Sequence, residues 1–181
     1  GANRLGTNSL LDLLVFGRAA GLHIVDAVKS STKAHKPLPK DAADRSLARL
    51  SRLDNSVSGE YAQDVANDIR KSMQQHAGVF RTQASLNEGV VKIADIAERV
   101  KSIQLKDKSQ IFNTARIEAL EVENLIECAS ATIVSAAARR ESRGAHTVDD
   151  YADSPQYPNG RNDAEWMKHT LWYSDGNRLD Y

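Results

Sequence analysis

Between Tyr61 and Ala136 the apolar residues recur in steps of three and four, and that spacing leaves little choice of fold. Tyr61, Val65, Ile69 and Met73 form one series. Leu86, Val90, Ile93, Ala97 and Val100 form a second. Val122, Ile126, Ala129, Ile133 and Ala136 form a third, on a helix expected from about Asn113 to Arg140. Residues three and four apart share one face of an α-helix, so each series is a stripe that must be covered. Three such helices can cover one another. The breaks around Gly78–Arg81 and Gln104–Ser109 are short, which makes successive helices antiparallel. The spacing predicts a mainly α chain built on an antiparallel three-helix bundle over residues 59–140.

The flanks read differently. Residues 1–30 open with a small, polar run from Gly1 to Ser9, and a helix follows from about Leu10 to Ser30, with Asn8 or Ser9 able to cap it. Gly17 and Gly21 are four apart on that helix. They suit the close approach of a packed helix or of a flat ligand. Residues 31–58 begin with a linker, Ser31 to Lys40, which Pro37 and Pro39 keep extended. Asp41 is expected to cap a shorter helix running to Leu53, with Leu47, Leu50 and Leu53 as its apolar side. Residues 141–181 carry Gly144, Pro155, Pro158, Asn159 and Gly160 and no helical stripe. This is expected to be an irregular tail, and its Trp166, Trp172, Tyr173 and Tyr181 call for something to pack against.

Composition narrows the function. Lys and Arg number 24, as do Asp and Glu, so the formal net charge is zero. A general nucleic-acid or anionic-membrane binder would show a basic excess. A single cysteine, Cys128, excludes an internal disulfide. It stands beside Ala129 on the third stripe and reads as a buried, inert thiol. His23, His35, His76, His146 and His169 lack metal-ligand spacing, so no metal site is expected. No apolar run reaches the ~20 residues of a membrane helix, and Asp12 interrupts the best candidate, Leu10–Phe16. Phosphate-loop, dinucleotide and nucleophile-elbow motifs are absent. Pattern alone supports a helical interaction module.

Two segments carry more. In Gly1–Gly21, GANRLGTNSLLDLLVFGRAAG, Arg4 sits in a Gly-rich turn just before a helix start. Helix N-terminal N–H groups and a guanidinium fork together suit an anionic small molecule. An exposed arginine in a capping loop fits the same residues. The second segment, Glu141 to His146, is followed by Asp149, Asp150, Tyr151 and by Arg161-Asn162-Asp163. This run reads as a solvated loop with a few ion pairs of little worth.

Both segments resemble one family. GANRLGTNSLLDLLVFGRAAG is similar to the end of the FAD domain in succinate dehydrogenase and fumarate reductase flavoprotein subunits. ARRESRGAH, Ala138 to His146, and RNDAEWMKHT, Arg161 to Thr170, resemble segments around their helical C-terminal domain. Thr7 and Thr147-Val148 depart from the usual residues. The resemblance implies a C-terminal piece of a subunit that oxidises succinate to fumarate on FAD. It implies electron transfer to an iron–sulfur subunit and on to quinone at membrane anchor subunits. Location would be peripheral, on the cytoplasmic face of a bacterial inner membrane or the matrix side in mitochondria. Arg4 matches the arginine that binds a substrate carboxylate; Ser9 and Leu10 match positions whose backbone meets the flavin. No catalytic residue proper is expected within this chain, and residues 1–30 would be the last part of the FAD-binding domain. The chain by itself is expected neither to keep FAD nor to turn over succinate, and it could dimerise through Leu10–Phe16. L-aspartate oxidase or a soluble fumarate reductase is the alternative within the class. A non-catalytic helical docking module is the alternative outside it.

Overall fold

The computed structural model describes residues 6, 8–31 and 37–181. The chain forms two units, residues 1–42 and 43–181. In the first, helix α1 spans Asn8–Ser30 and buries none of its residues. Leu10, Leu11, Leu13, Leu14, Val15 and Phe16 are all more than half exposed. Gly17 and Gly21 have open space where a Cβ would stand, so no described residue closes on them. The close approach expected there is not made among the described residues.

The second unit contains the bundle. Helix α2 is Asp44–Asp54, α3 is Ala62–His76, α4 is Gln83–Val100 and α5 is Thr114–Ala138. Helices α3, α4 and α5 pack on one another, as the three stripes require. Val65, Ile69, Leu86, Ile93, Ile96 and Ile133 are at most 1% exposed. Each such side chain contributes about 1.5–3 kcal/mol by leaving water, against about 0–1 for a surface ion pair, so the stripes hold the bundle. Tyr61 lies at the edge of its stripe and is 42% exposed. Thr82 caps α4 through a bond from the Ser85 N–H, and Asn113 caps α5 through one from Arg116. Gly89 is where the helices come closest: a Cβ there would stand 2.6 Å from His76 Cβ and 2.9 Å from Ile133 Cδ1.

Three expectations fail locally. Asp41 does not cap α2; a turn closed by Ala42 N–H to Pro39 O precedes it, and Ala43 occupies the cap position without a side-chain bond. Only Leu53 of that helix is fully buried, while Leu47 is 56% exposed. Arg49 and Arg52 both reach Glu123 and tie α2 to α5. Cys128 is exposed, not buried. Neighbouring helix positions are turned by about 100°, so standing next to buried Ala129 puts Cys128 off the stripe.

The tail is more ordered than its sequence suggests. It holds single 3-10 turns, a one-turn helix α6 at Asp163–Trp166, and an antiparallel hairpin of β1, Leu171–Tyr173, with β2, Arg178–Asp180. Trp172 pairs with Leu179 at its centre. Strands of three residues are too short to show an alternating pattern. Trp166 is buried edge-on to Tyr181, with ring centroids 5.6 Å apart, so two of the tail aromatics pack on each other.

Candidate functional site

Two places carry polar chemistry, one in each unit. The first is the start of α1. Arg4, like Thr7, lies outside the described residues. Ser9 and Leu10 stand in the first turn of α1. The Ser9 hydroxyl oxygen is inaccessible to solvent and has no partner among the described residues. Leu10 is 64% exposed. That first turn carries no acidic residue, so its partial positive charge is not offset by a side chain of the turn.

The second is a buried ionic hub where α5 meets the tail. Glu141 is fully buried. Its Oε1 accepts from Arg139 at 2.8 Å and from Arg143 Nε at 2.7 Å. Its Oε2 accepts from Arg143 Nη2 at 3.0 Å and from the Asn162 N–H at 2.9 Å. Burial alone would raise the Glu141 carboxyl, but donors from Arg143, Asn162 and Arg139 outweigh it and hold it below its ordinary value. Arg143 also pairs with Asp163 at 2.5 Å. Glu141 is therefore drawn out of solvent, while Gly144 and Ala145 of the same run stay exposed. Four donors to one carboxylate make its burial tolerable.

The hub fixes the tail. Arg139 donates to the carbonyls of Trp166 and Lys168 at 2.9 and 2.8 Å. Arg143 and His146 exchange backbone bonds of 2.8 and 3.1 Å around Gly144, whose φ of 62° suits glycine. Next along, the Asp149 N–H donates to the Arg81 carbonyl at 2.8 Å, and Asp150 accepts from the Gln83 N–H at 2.7 Å. Asp150 thereby meets the N-terminus of α4, where a carboxylate is favoured. Arg81 and Arg139 were not singled out by sequence. Arg81 joins His146 across 65 residues, and no spacing rule finds such a pair. Among the described residues no three His, Cys, Asp or Glu side chains come together to hold a metal, and no helix is long and apolar enough to cross a membrane.

A three-helix bundle whose tail is held by two arginines on the fully buried Glu141 defines a mainly helical domain. Comparison gives the family. A family model described as fumarate reductase flavoprotein C-term matches residues 66–181. The succinate dehydrogenase flavoprotein subunit of Coxiella burnetii is 46% identical over 176 residues, covering 97% of this chain and 29% of that protein. The mitochondrial succinate dehydrogenase flavoprotein subunit of rice, Oryza sativa, is 40% identical, covering 100% of this chain and 28% of that protein. A solved E. coli quinol fumarate reductase superposes with a TM-score of 0.80 at 33% identity, covering 100% of this chain and 31% of that one. The chain belongs to the succinate dehydrogenase and fumarate reductase flavoprotein family, in its C-terminal region. It spans under a third of the length of the curated relatives it matches.

Proposed function

We propose that this chain is the C-terminal part of the flavoprotein subunit of a succinate dehydrogenase. The observation that carries the reading is similarity over the whole chain to subunits of that name, at 46% and 40% identity. In the intact subunit FAD would accept the two electrons that succinate gives up on becoming fumarate. Electrons would pass to an iron–sulfur subunit and then to quinone at membrane anchors. The subunit would sit peripherally, on the cytoplasmic face of a bacterial inner membrane or the matrix face in mitochondria.

The residues of this chain have definite parts in that reading. Arg4 offers a planar fork to one carboxylate of succinate and fixes how the dicarboxylate lies. Ser9 and Leu10 supply first-turn backbone to the flavin, and the orphan Ser9 hydroxyl fits a polar edge of such a ring. A first helical turn without an acidic side chain favours negative charge there. The exposed strip Leu10–Phe16 is the surface that the rest of the FAD-binding domain would cover. Nothing in the fold supports the alternative cover, a second copy of the chain. With only these parts of the site, the chain alone is expected to be inactive.

The test is made in the intact subunit. Arg4→Ala should raise KM for succinate and lower kcat in dye-coupled turnover by about a hundredfold or more in kcat/KM. Helical circular dichroism and flavin content should stay unchanged. Turnover unaffected by Arg4→Ala would instead favour a docking module without a part in catalysis.

A further inference from the structure

Within the second unit, an open cleft of about 660 Å³ lies between the C-terminal half of α5 and the tail. Four permanent or near-permanent cations line it: Arg81, Arg139, Arg143 and Lys168. Arg139 and Arg143 are neutralised by Glu141, and Arg143 further by Asp163. Arg81 and Lys168 have no carboxylate partner among the described residues. Arg81 spends Nε on the Gly78 carbonyl and Nη1 on His146. Burial pushes its guanidinium below its ordinary value, as befits a cation with no counter-charge nearby. Lys168 Nζ lies only over aromatic rings, 4.5 Å from the Tyr181 centroid and 5.6 Å from that of Trp166. Trp166 also lines the cleft; it is 7% exposed, and its indole N–H has no acceptor among the described residues. The rest of the lining is mixed: Ala136 and the 69% exposed Met167 stand beside Thr132, Ser135, His169 and Thr170.

We propose that this cleft is a carboxylate-binding site, with Arg81 and Lys168 supplying the charge and Trp166, Ala136 and Met167 the surface for an apolar stem. Two uncompensated cations and an unsatisfied donor ask for an acceptor that carries negative charge. Trp166, Ala136 and Met167 offer an apolar stem a surface that inorganic phosphate cannot use. The carboxylate can stand on a free organic acid or on an acidic side chain of another polypeptide. The site uses none of Arg4, Ser9 and Leu10, and it stands whether or not the proposed function does.

The chain holds two tryptophans, so its indole N–H resonances form an internal pair. Trp172 Nε1 already donates to Asn177 at 3.0 Å and serves as the control. The ¹⁵N-labelled 181-residue chain is titrated with hexanoate, with a tetraglutamate peptide, and with chloride and inorganic phosphate. We expect a saturable downfield shift of the Trp166 indole proton with a carboxylate probe and a static Trp172. Saturation by hexanoate alone assigns the source to a small acid; saturation by the peptide assigns it to an acidic chain segment. Lys168→Gln, an exposed position that leaves the fold intact, should weaken binding by about tenfold. No response to either carboxylate probe, an equal response to chloride or phosphate, or unchanged affinity in Lys168→Gln would each overturn the proposal.

Discussion

Arg81 Nη1 lies 3.0 Å from His146 Nδ1, and on the opposite edge of the ring Nε2 lies 3.1 Å from the Arg139 carbonyl oxygen. A guanidinium only donates, so Nδ1 accepts and Nε2 carries the proton. The ring is held neutral between two arginines. Burial is the main cause that keeps its pKa below the ordinary value; Arg81 and Arg139 push the same way, and the bond to the carbonyl opposes them without prevailing.

That arrangement makes stability depend on pH. The folded-state pKa of His146 lies below its unfolded value, so the neutral ring contributes fully above about pH 6.5, and the contribution is lost as pH falls from there through the folded value. Urea unfolding midpoints of the chain should therefore drop between about pH 7.5 and about pH 5.5. In His146→Gln the drop should be smaller, whatever the other histidines contribute. An equal slope in both proteins would show that His146 is not the group responsible.

Glu141 makes a sharper case. It is buried among Arg139, Arg143 and the Asn162 N–H. Glu141→Gln keeps the shape but removes the charge, leaving Arg139 without a carboxylate partner among the described residues and Arg143 with Asp163 alone. Loss of about 3–5 kcal/mol of folding free energy is expected, the usual cost of breaking a buried pair from one side. Its lowered carboxyl pKa also gives acid sensitivity: the contribution is complete above the unfolded carboxylate value and disappears as pH falls through the folded one, below about pH 4. Denaturant melts of wild type and Glu141→Gln should converge in that acid range, where both side chains are neutral.

The contrast between the stripes and this hub explains what a sequence can disclose. Val122, Ile126, Ala129, Ile133 and Ala136 are all buried because helical periodicity is a local rule, and apolar residues have one favourable place to go. Glu141 and Arg143 obey no such rule. A charged run goes to solvent by default, and the burial of Glu141 depends on Arg139 and Arg143 beside it and on the Asn162-Asp163 segment some twenty residues further on. Ser9 lay in a legible motif, but its inaccessible, unpartnered oxygen is visible only in three dimensions. The hairpin was hidden because Leu171–Tyr173 and Arg178–Asp180 are too short to carry a period.

Cys128 tests how far periodicity can be trusted one residue off the stripe. The thiol is exposed on α5, and its carbonyl accepts from the Thr132 hydroxyl at 2.7 Å. An aromatic disulfide reagent should label one thiol in the native chain, at a rate close to that in denaturant. A buried cysteine would react only through unfolding, by orders of magnitude more slowly. Cys128→Ser should fold with unchanged stability, because the side chain fills no part of the core.

Gly89 and Gly17 separate packing from propensity. Both are helical glycines, and alanine is intrinsically favoured at such positions by about 1 kcal/mol. At Gly17 a Cβ meets nothing within 4 Å, so Gly17→Ala should leave stability unchanged or slightly raised. At Gly89 the same atom would stand 2.6 Å from His76 Cβ and 2.9 Å from Ile133 Cδ1. Neither neighbour is the free end of a flexible surface side chain: one is the root of a buried histidine, the other a fully buried isoleucine. Relief therefore requires α3 and α5 to move apart from α4, and overpacking of this kind costs about 1–3 kcal/mol. The clash should exceed the propensity gain, and Gly89→Ala should lower the urea midpoint while Gly17→Ala does not. Larger denaturant sensitivity at both positions would mean that α1 is packed more tightly than its exposure indicates; at neither, that the three helices have room to spare around Gly89.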